Sequence, residues 1–319
     1  MPITTDVGLL ARDAVLGPAT APPRELVVAT GVDRIRFLHG LVTGNVAGTE
    51  PGRGCRAALL TPKGQVVSDL RLFVRADDVR IVVDAGQAAP LATALARYAI
   101  MDDFAAVPVP EFSFFSLLGP AAPARLAAAG VDVGALATAP PLAHAEIGRF
   151  WIARVREFGA EGFWIGGPPA EVASLREKLA ADVPELDATA AEAARIDALE
   201  PRFGAEITPD YFPMEVGLAG AIDYTKGCYL GQEPIVRVRD RGHINWRLVG
   251  LDVTGADDPR PGDALTSEVK PKAGRVTSAA RLPDGRGVAL ALAHVSLPVG
   301  ATVHIGAGAI EARIRADVA

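Results

Sequence analysis

Beyond Trp246 the chain offers only short apolar runs, RLVGLDV, GRVTSAARL, GVALALAHVSL and ATVHIG, separated by Gly, Pro or Asp. Runs this short between turn formers do not build long helices, and they predict a small antiparallel β-barrel over residues 245–319. The longest uncharged stretch, Gly287 to Ile310, holds His294, Pro298, His304 and several glycines, so it reads as alternating strands rather than a membrane helix. At 319 residues the chain is long for one hydrophobic core, and two or three packed units are expected.

Residues 1–244 mix both periodicities. Leu26 to Ala29 predicts a strand, and Asp33 the N-cap of a helix with Ile35, Leu38, Leu41 and Val42 on one side. From Gln65 to Asp84 the period becomes two, with a turn at Ala76-Asp77-Asp78, which predicts a hairpin. Pro90 opens a helix carrying Leu91, Leu95 and Tyr98, and strands follow at Phe112 to Leu118, Phe150 to Val155 and Gly162 to Ile165. Pro168-Pro169 starts a helix through Leu179, and Thr189 with Glu192 forms a capping box for a helix that Pro201 stops. The Ala-, Gly- and Pro-rich stretch from Pro120 to Pro141 reads as a linker around one short helix.

A net charge of -6 argues against a protein that coats nucleic acid, a role that needs a clustered cationic surface. Two cysteines, Cys55 and Cys228, are too few for a disulfide framework or a four-cysteine metal site. The opening MPITTDVGLLARDAV lacks the basic and apolar regions of a secretory signal, so a cytoplasmic protein is expected, with no membrane partner.

The segment TKGCYLGQEPIVRVRDRGH, Thr225 to His243, concentrates chemistry. Lys226 can stabilise Cys228 as a thiolate, the form that attacks or ligates. Gly227 and Gly231 permit positive φ or close approach, and Gln232 and Glu233 supply polar heads for a heterocycle with donors and acceptors. Read as a strand, Ile235 to Arg241 puts Arg237, Arg239 and Arg241 on one face, roughly 7 Å apart, suited to a polyanion. The plainer alternatives are a solvated edge strand and, for Cys228, a small buried hydrophobe. His243 reads either as a base for Cys228 or as a structural hydrogen bonder, and Cys55 as structural.

The run Lys226-Gly227-Cys228-Tyr229-Leu230-Gly231-Gln232-Glu233 resembles the K-G-C-[FY]-x-G-Q-E signature of the YgfZ family, folate-binding proteins that support iron–sulfur enzymes. The likeness continues in DRIRFLHGLVTGNV, TPKGQVVSDLRLF, RIDALEPRFGAEI, FPMEVGL and RGHINWRLVGL, in family order. The wider superfamily includes the T-protein of the glycine cleavage system, an aminomethyltransferase that uses tetrahydrofolate.

The resemblance implies an α+β fold: a T-protein-like three-part ring, with two interleaved α/β subdomains in residues 1–244 around a central cavity, plus the C-terminal barrel. It implies a tetrahydrofolate or related folate, bound by Gly227, Tyr229, Gly231, Gln232, Glu233, Arg195, Trp164 and Arg237. Trp164 stands where T-proteins place a pterin-binding glutamate; an indole can stack on the ring but cannot accept its hydrogen bonds. Asp69 matches their catalytic carboxylate. The implied partners are iron–sulfur enzymes, including tRNA-modifying ones, or cluster-assembly proteins, met through Cys228. No resident metal is expected, because a four-iron cluster usually needs four thiolates. The alternative is a tetrahydrofolate-dependent aminomethyltransferase or demethylase using Asp69.

Overall fold

The computed structural model describes residues 3–19, 24–306 and 310–318. The chain divides into two units. The first holds residues 1–59, 68–188 and 221–230, and the second residues 60–67, 189–220 and 231–319.

The first unit is built on two sheets. Five strands run in the order Arg53–Leu60, Val66–Val74, Val79–Val83, Glu25–Thr30 and Ala105–Pro108. The expected hairpin is present, with Leu72 opposite Ile81 and Val74 opposite Val79. A seven-stranded sheet follows the order Ile3–Thr4, Glu185–Leu186, Val15–Leu16, Ser113–Leu118, Ala160–Gly167, Phe150–Glu157 and His144–Ile147. Its central hairpin turns at Phe158-Gly159, both at positive φ (52° and 80°), as a tight two-residue connection requires.

Leu26, Phe73 and Val82 of one sheet and Trp151, Ala153, Val155 and Trp164 of the other form a shared buried core. A second core joins the seven-stranded sheet to the helix Pro169–Ala180 and to residues 122–136. That second core corrects the linker expected between Pro120 and Pro141. The stretch forms two helices, Ala122–Ala128 and Gly134–Ala137, and buries Leu126, Val131, Val133 and Leu136. Its many alanines are helix formers as readily as linker residues, and the four large apolar side chains anchor it.

The second unit contains a closed six-stranded antiparallel barrel in the order Trp246–Val253, Gly287–His294, Gly274–Arg281, Ala264–Thr266, Thr302–Ile305 and Ile310–Asp317. Alternate residues Val249, Leu251 and Val253 meet Ala289, Ala291 and Ala293 inside it, large against small. Residues 307–309 of the uncharged run lie outside the described residues. The helix Ala188–Asp197 already includes Thr189, which is therefore not the N-cap expected, and it ends as expected, with Leu199 left-handed (φ 62°) just before Pro201. Among the described residues no helix is long and apolar enough to cross a membrane.

Candidate functional site

In the first unit, the loop carrying Cys228 is tied to the helix Arg34–Leu41 and the residues just after it. Thr43 donates through Oγ1 to the Ala221 carbonyl at 2.6 Å, and the Asp223 amide donates to the Thr43 carbonyl at 3.0 Å. The Leu230 amide donates to the Gly40 carbonyl at 3.2 Å. Within this unit the segments DRIRFLHGLVTGNV and KGCYL are therefore bound to each other. Cys228 is exposed on this loop, although free cysteine is among the residue types most often buried.

Lys226 is buried. Its Nζ donates to the carbonyls of His39, Val42 and Gly44 at 2.5, 2.6 and 2.9 Å, and it lies 5.2 Å from the Tyr229 ring centroid. Burial pulls the ammonium from 10.5 down to about 8, against the upward pull of Cys55 and Asp223. The thiol whose ionisation is coupled to that of Lys226 is Cys55, a residue the sequence marked only as structural. Cys55 is half-buried, and burial raises its own pKa despite a Thr49 hydrogen bond and the Lys226 charge, so it stays protonated at neutral pH. Asp223 is held low by hydrogen bonds from Thr225, and burial lowers His39.

Because the folded pKa of Lys226 lies below its unfolded value, the folded chain binds fewer protons than the unfolded chain between about pH 8 and 10.5. The penalty for burying this ammonium is complete below pH 8 and is relieved as pH rises through that window. Relative to Lys226→Met, the wild type should gain on the order of 1–3 kcal/mol across it, read by urea unfolding. A flat difference would mean that the ammonium is not desolvated.

The second unit begins its share of the signature at Gly231, which adopts φ 78° as the N-cap of a helix, Gln232–Arg241. This corrects the strand expected at Ile235 to Arg241. A V-R-V-R alternation mimics period two, but a positive-φ cap, Glu233 in the first turn and Arg239 and Arg241 in the last favour a helix through its dipole. The three arginines therefore do not share a face; Arg237 and Arg241 fall together and Arg239 apart. Arg237 and Glu233 are exposed, Gln232 is half-buried, and His243 is exposed beyond the helix end.

A Cβ on Gly231 would stand 2.4 Å from the Thr61 carbonyl oxygen, whereas one on Gly227 would meet nothing within 4 Å. Gly231→Ala should therefore cost about 2–4 kcal/mol and Gly227→Ala within about 0.5, measured by urea unfolding. Equal losses would refute the close approach.

Trp164 lies in the core between the two sheets of the first unit, 2% exposed. Its Nε1 donates to Glu157 at 3.2 Å and the Arg24 guanidinium covers its ring at 4.1 Å, so a stacking face for pterin is already occupied. Asp69 is buried on the strand Val66–Val74. Arg56 grips both of its oxygens at 3.1 and 2.9 Å, and Arg71 adds a contact at 3.6 Å. Burial alone would raise this carboxyl; the two guanidiniums outweigh it and hold Asp69 ionised, below the usual carboxylate range.

Arg195, in the second unit, directs all its N–H groups inward. They reach Glu192 (2.9 and 2.7 Å), the Glu200 carbonyl (2.5 Å), Glu206 (3.1 Å) and Ser278 (2.9 Å). Burial opposes its charge, but Glu192 and Glu206 raise its pKa overall. A cleft of about 460 Å³, edged by Arg202, Arg275 and Thr277, lies over part of this network. Trp164, Asp69 and Arg195 are thus all committed to partners inside the protein and do not fit folate in the T-protein manner. Among the described residues no three His, Cys, Asp or Glu side chains group as a metal site.

Comparison with known proteins agrees with this architecture. The family model described as the GCVT N-terminal domain matches residues 25–226. A tRNA-modifying protein YgfZ of Yersinia pseudotuberculosis serotype O:1b (strain IP 31758) is 26% identical over 267 residues, covering 82% of this chain and 79% of that one. A protein of the same name from Yersinia pestis (strain Pestoides F) matches with the same identity and coverage. The crystal structure of glycine cleavage system aminomethyltransferase T from Bartonella henselae superposes with a TM-score of 0.86 at 25% identity, covering 95% of this chain and 85% of that one. With two sheets, a closed barrel and a match over most of the first unit, the chain belongs to the GCVT N-terminal domain family and has the aminomethyltransferase fold.

Proposed function

We propose that this is a folate-binding, YgfZ-like protein that supports the assembly or repair of iron–sulfur enzymes, including tRNA-modifying ones, through the Cys228 thiolate. The observation that carries the reading is an exposed cysteine on a loop held by six hydrogen bonds to one helix end. Packing does not require a thiol there. One exposed thiolate supplies one iron ligand, so the cluster remains the partner's and Cys228 is a transiently shared ligand. Gln232 and Glu233 are the polar heads left to meet a pteridine, and folate acts here as a bound effector. The partners are transient, and the work is cytoplasmic.

The test is deletion of the gene and restoration by the wild-type chain, reading the product of a four-iron tRNA-modifying enzyme under oxidative stress. Full output without the chain would sink the reading. Titration with tetrahydrofolate checks the folate half separately.

The fold shared with an aminomethyltransferase favours a second reading, one-carbon transfer through Asp69. A general acid or base must exchange protons with a substrate, and Asp69 has both oxygens on Arg56. Turnover of an aminomethyl donor that survives Cys228→Ala and is lost in Asp69→Asn would favour it nonetheless.

A further inference from the structure

A helix ends with carbonyls its own turns cannot satisfy. At Arg34–Leu41 two of them are met from far along the chain. Leu38 accepts the Val42 amide, as a continuing helix would. His39 accepts the Lys226 ammonium and Gly40 the Leu230 amide. Past the helix end, Val42 and Gly44 accept the other two Lys226 bonds and Thr43 accepts the Asp223 amide. An ammonium has three donors, and three converging carbonyls satisfy them all. The negative end of the helix adds a favourable field.

We propose that Lys226 is a positioning residue, whose buried ammonium clasps the loop of residues 223–230 to the end of the Arg34–Leu41 helix and so presents Cys228 to the partner's iron. Cys228 lies midway between two anchors, the buried Lys226 ammonium and the Leu230 amide bonded to Gly40, and is itself exposed. The role differs from that of a cation placed beside the thiolate, because the ammonium is enclosed by backbone carbonyls. It also calls for lysine specifically. A guanidinium is a larger planar fork with its donors in one plane, and it cannot meet three carbonyls converging on a point. The inference rests on the cysteine reading proposed above.

The experiment uses the full chain with Cys55→Ala, so that Cys228 is the sole thiol. Hydrogen exchange is read at the Asp223 and Leu230 amides, alkylation by iodoacetamide at Cys228, and rescue in the deletion strain. In Lys226→Met, both amides should exchange at least about tenfold faster while the barrel amide of Val249 is unchanged. Cys228 should still alkylate, and rescue should be lost. Lys226→Arg should behave likewise, and it decides alone if Lys226→Met does not accumulate.

Wild-type exchange at both amides overturns the clasp. A Lys226→Arg chain indistinguishable from wild type does so too, because charge alone would then suffice. Rescue by Lys226→Met despite fast exchange overturns the positioning role only. Rescue by Cys228→Ala removes the positioning role and the cysteine reading together.

Discussion

Cys228→Ala, at soluble levels equal to wild type, is expected to lower the output of a four-iron tRNA-modifying enzyme under oxidative stress by at least about tenfold, a loss of the size seen when metal sites lose even a supporting group. The chain should remain folded. Cys228 is exposed on its loop, so its truncation opens no core cavity, and a surface change of this kind stays within about 0.5 kcal/mol. A functional loss without a stability loss separates chemistry from packing. If Cys228→Ala restores full output, the thiol carries no function, and transfer through Asp69 becomes the reading to pursue. Asp69→Asn should behave in the opposite way, losing stability first, because it leaves Arg56 and Arg71 without the buried carboxylate they share.

Arg195→Met is expected to cost about 3–5 kcal/mol, the range for breaking a buried ion pair on one side. Glu206 is fully buried, and among the described residues it keeps, without Arg195, the Ser278 hydroxyl at 2.5 Å and the Arg202 amide at 3.0 Å. Its charge would be left without a cation. Since small domains are stable by only about 5–15 kcal/mol, the variant should show a large drop in urea midpoint and reduced soluble yield. Adding Glu206→Gln should recover part of the loss, because the uncompensated charge is then gone. A folate contact predicts otherwise: wild-type stability with weakened tetrahydrofolate binding. Unfolding and binding measured on the same preparation discriminate the two.

Local pattern made much of the fold legible. The alternation at Leu70, Leu72 and Val74 against Val79, Ile81 and Val83 is the hairpin itself, because side-chain period two has few other solutions when one face must be buried. The turn-punctuated runs after Trp246 are the barrel. At Ile235 to Arg241 the same logic misled, since four alternating residues satisfy period two while Ile235, the only large apolar side chain fully buried there, suits a helix equally well. At 120–141 composition suggested a linker, and burial of Leu126 and Leu136 against a sheet decided otherwise.

By itself, the sequence determined which residues are strands and turns over most of the chain, and it marked the cysteine-bearing signature as the place to look. Only the tertiary structure decided what the marked side chains touch. Lys226 reads in sequence as the neighbour of Cys228, two positions away, yet its ammonium is held by carbonyls 182, 184 and 187 residues distant. Arg195 reads as a ligand contact, yet a carboxylate and a hydroxyl brought from residues 206 and 278 occupy it. Periodicity reports the backbone state and the buried face, which depend on near neighbours. The partner of a long charged side chain depends on which distant backbone the packed core carries to its tip.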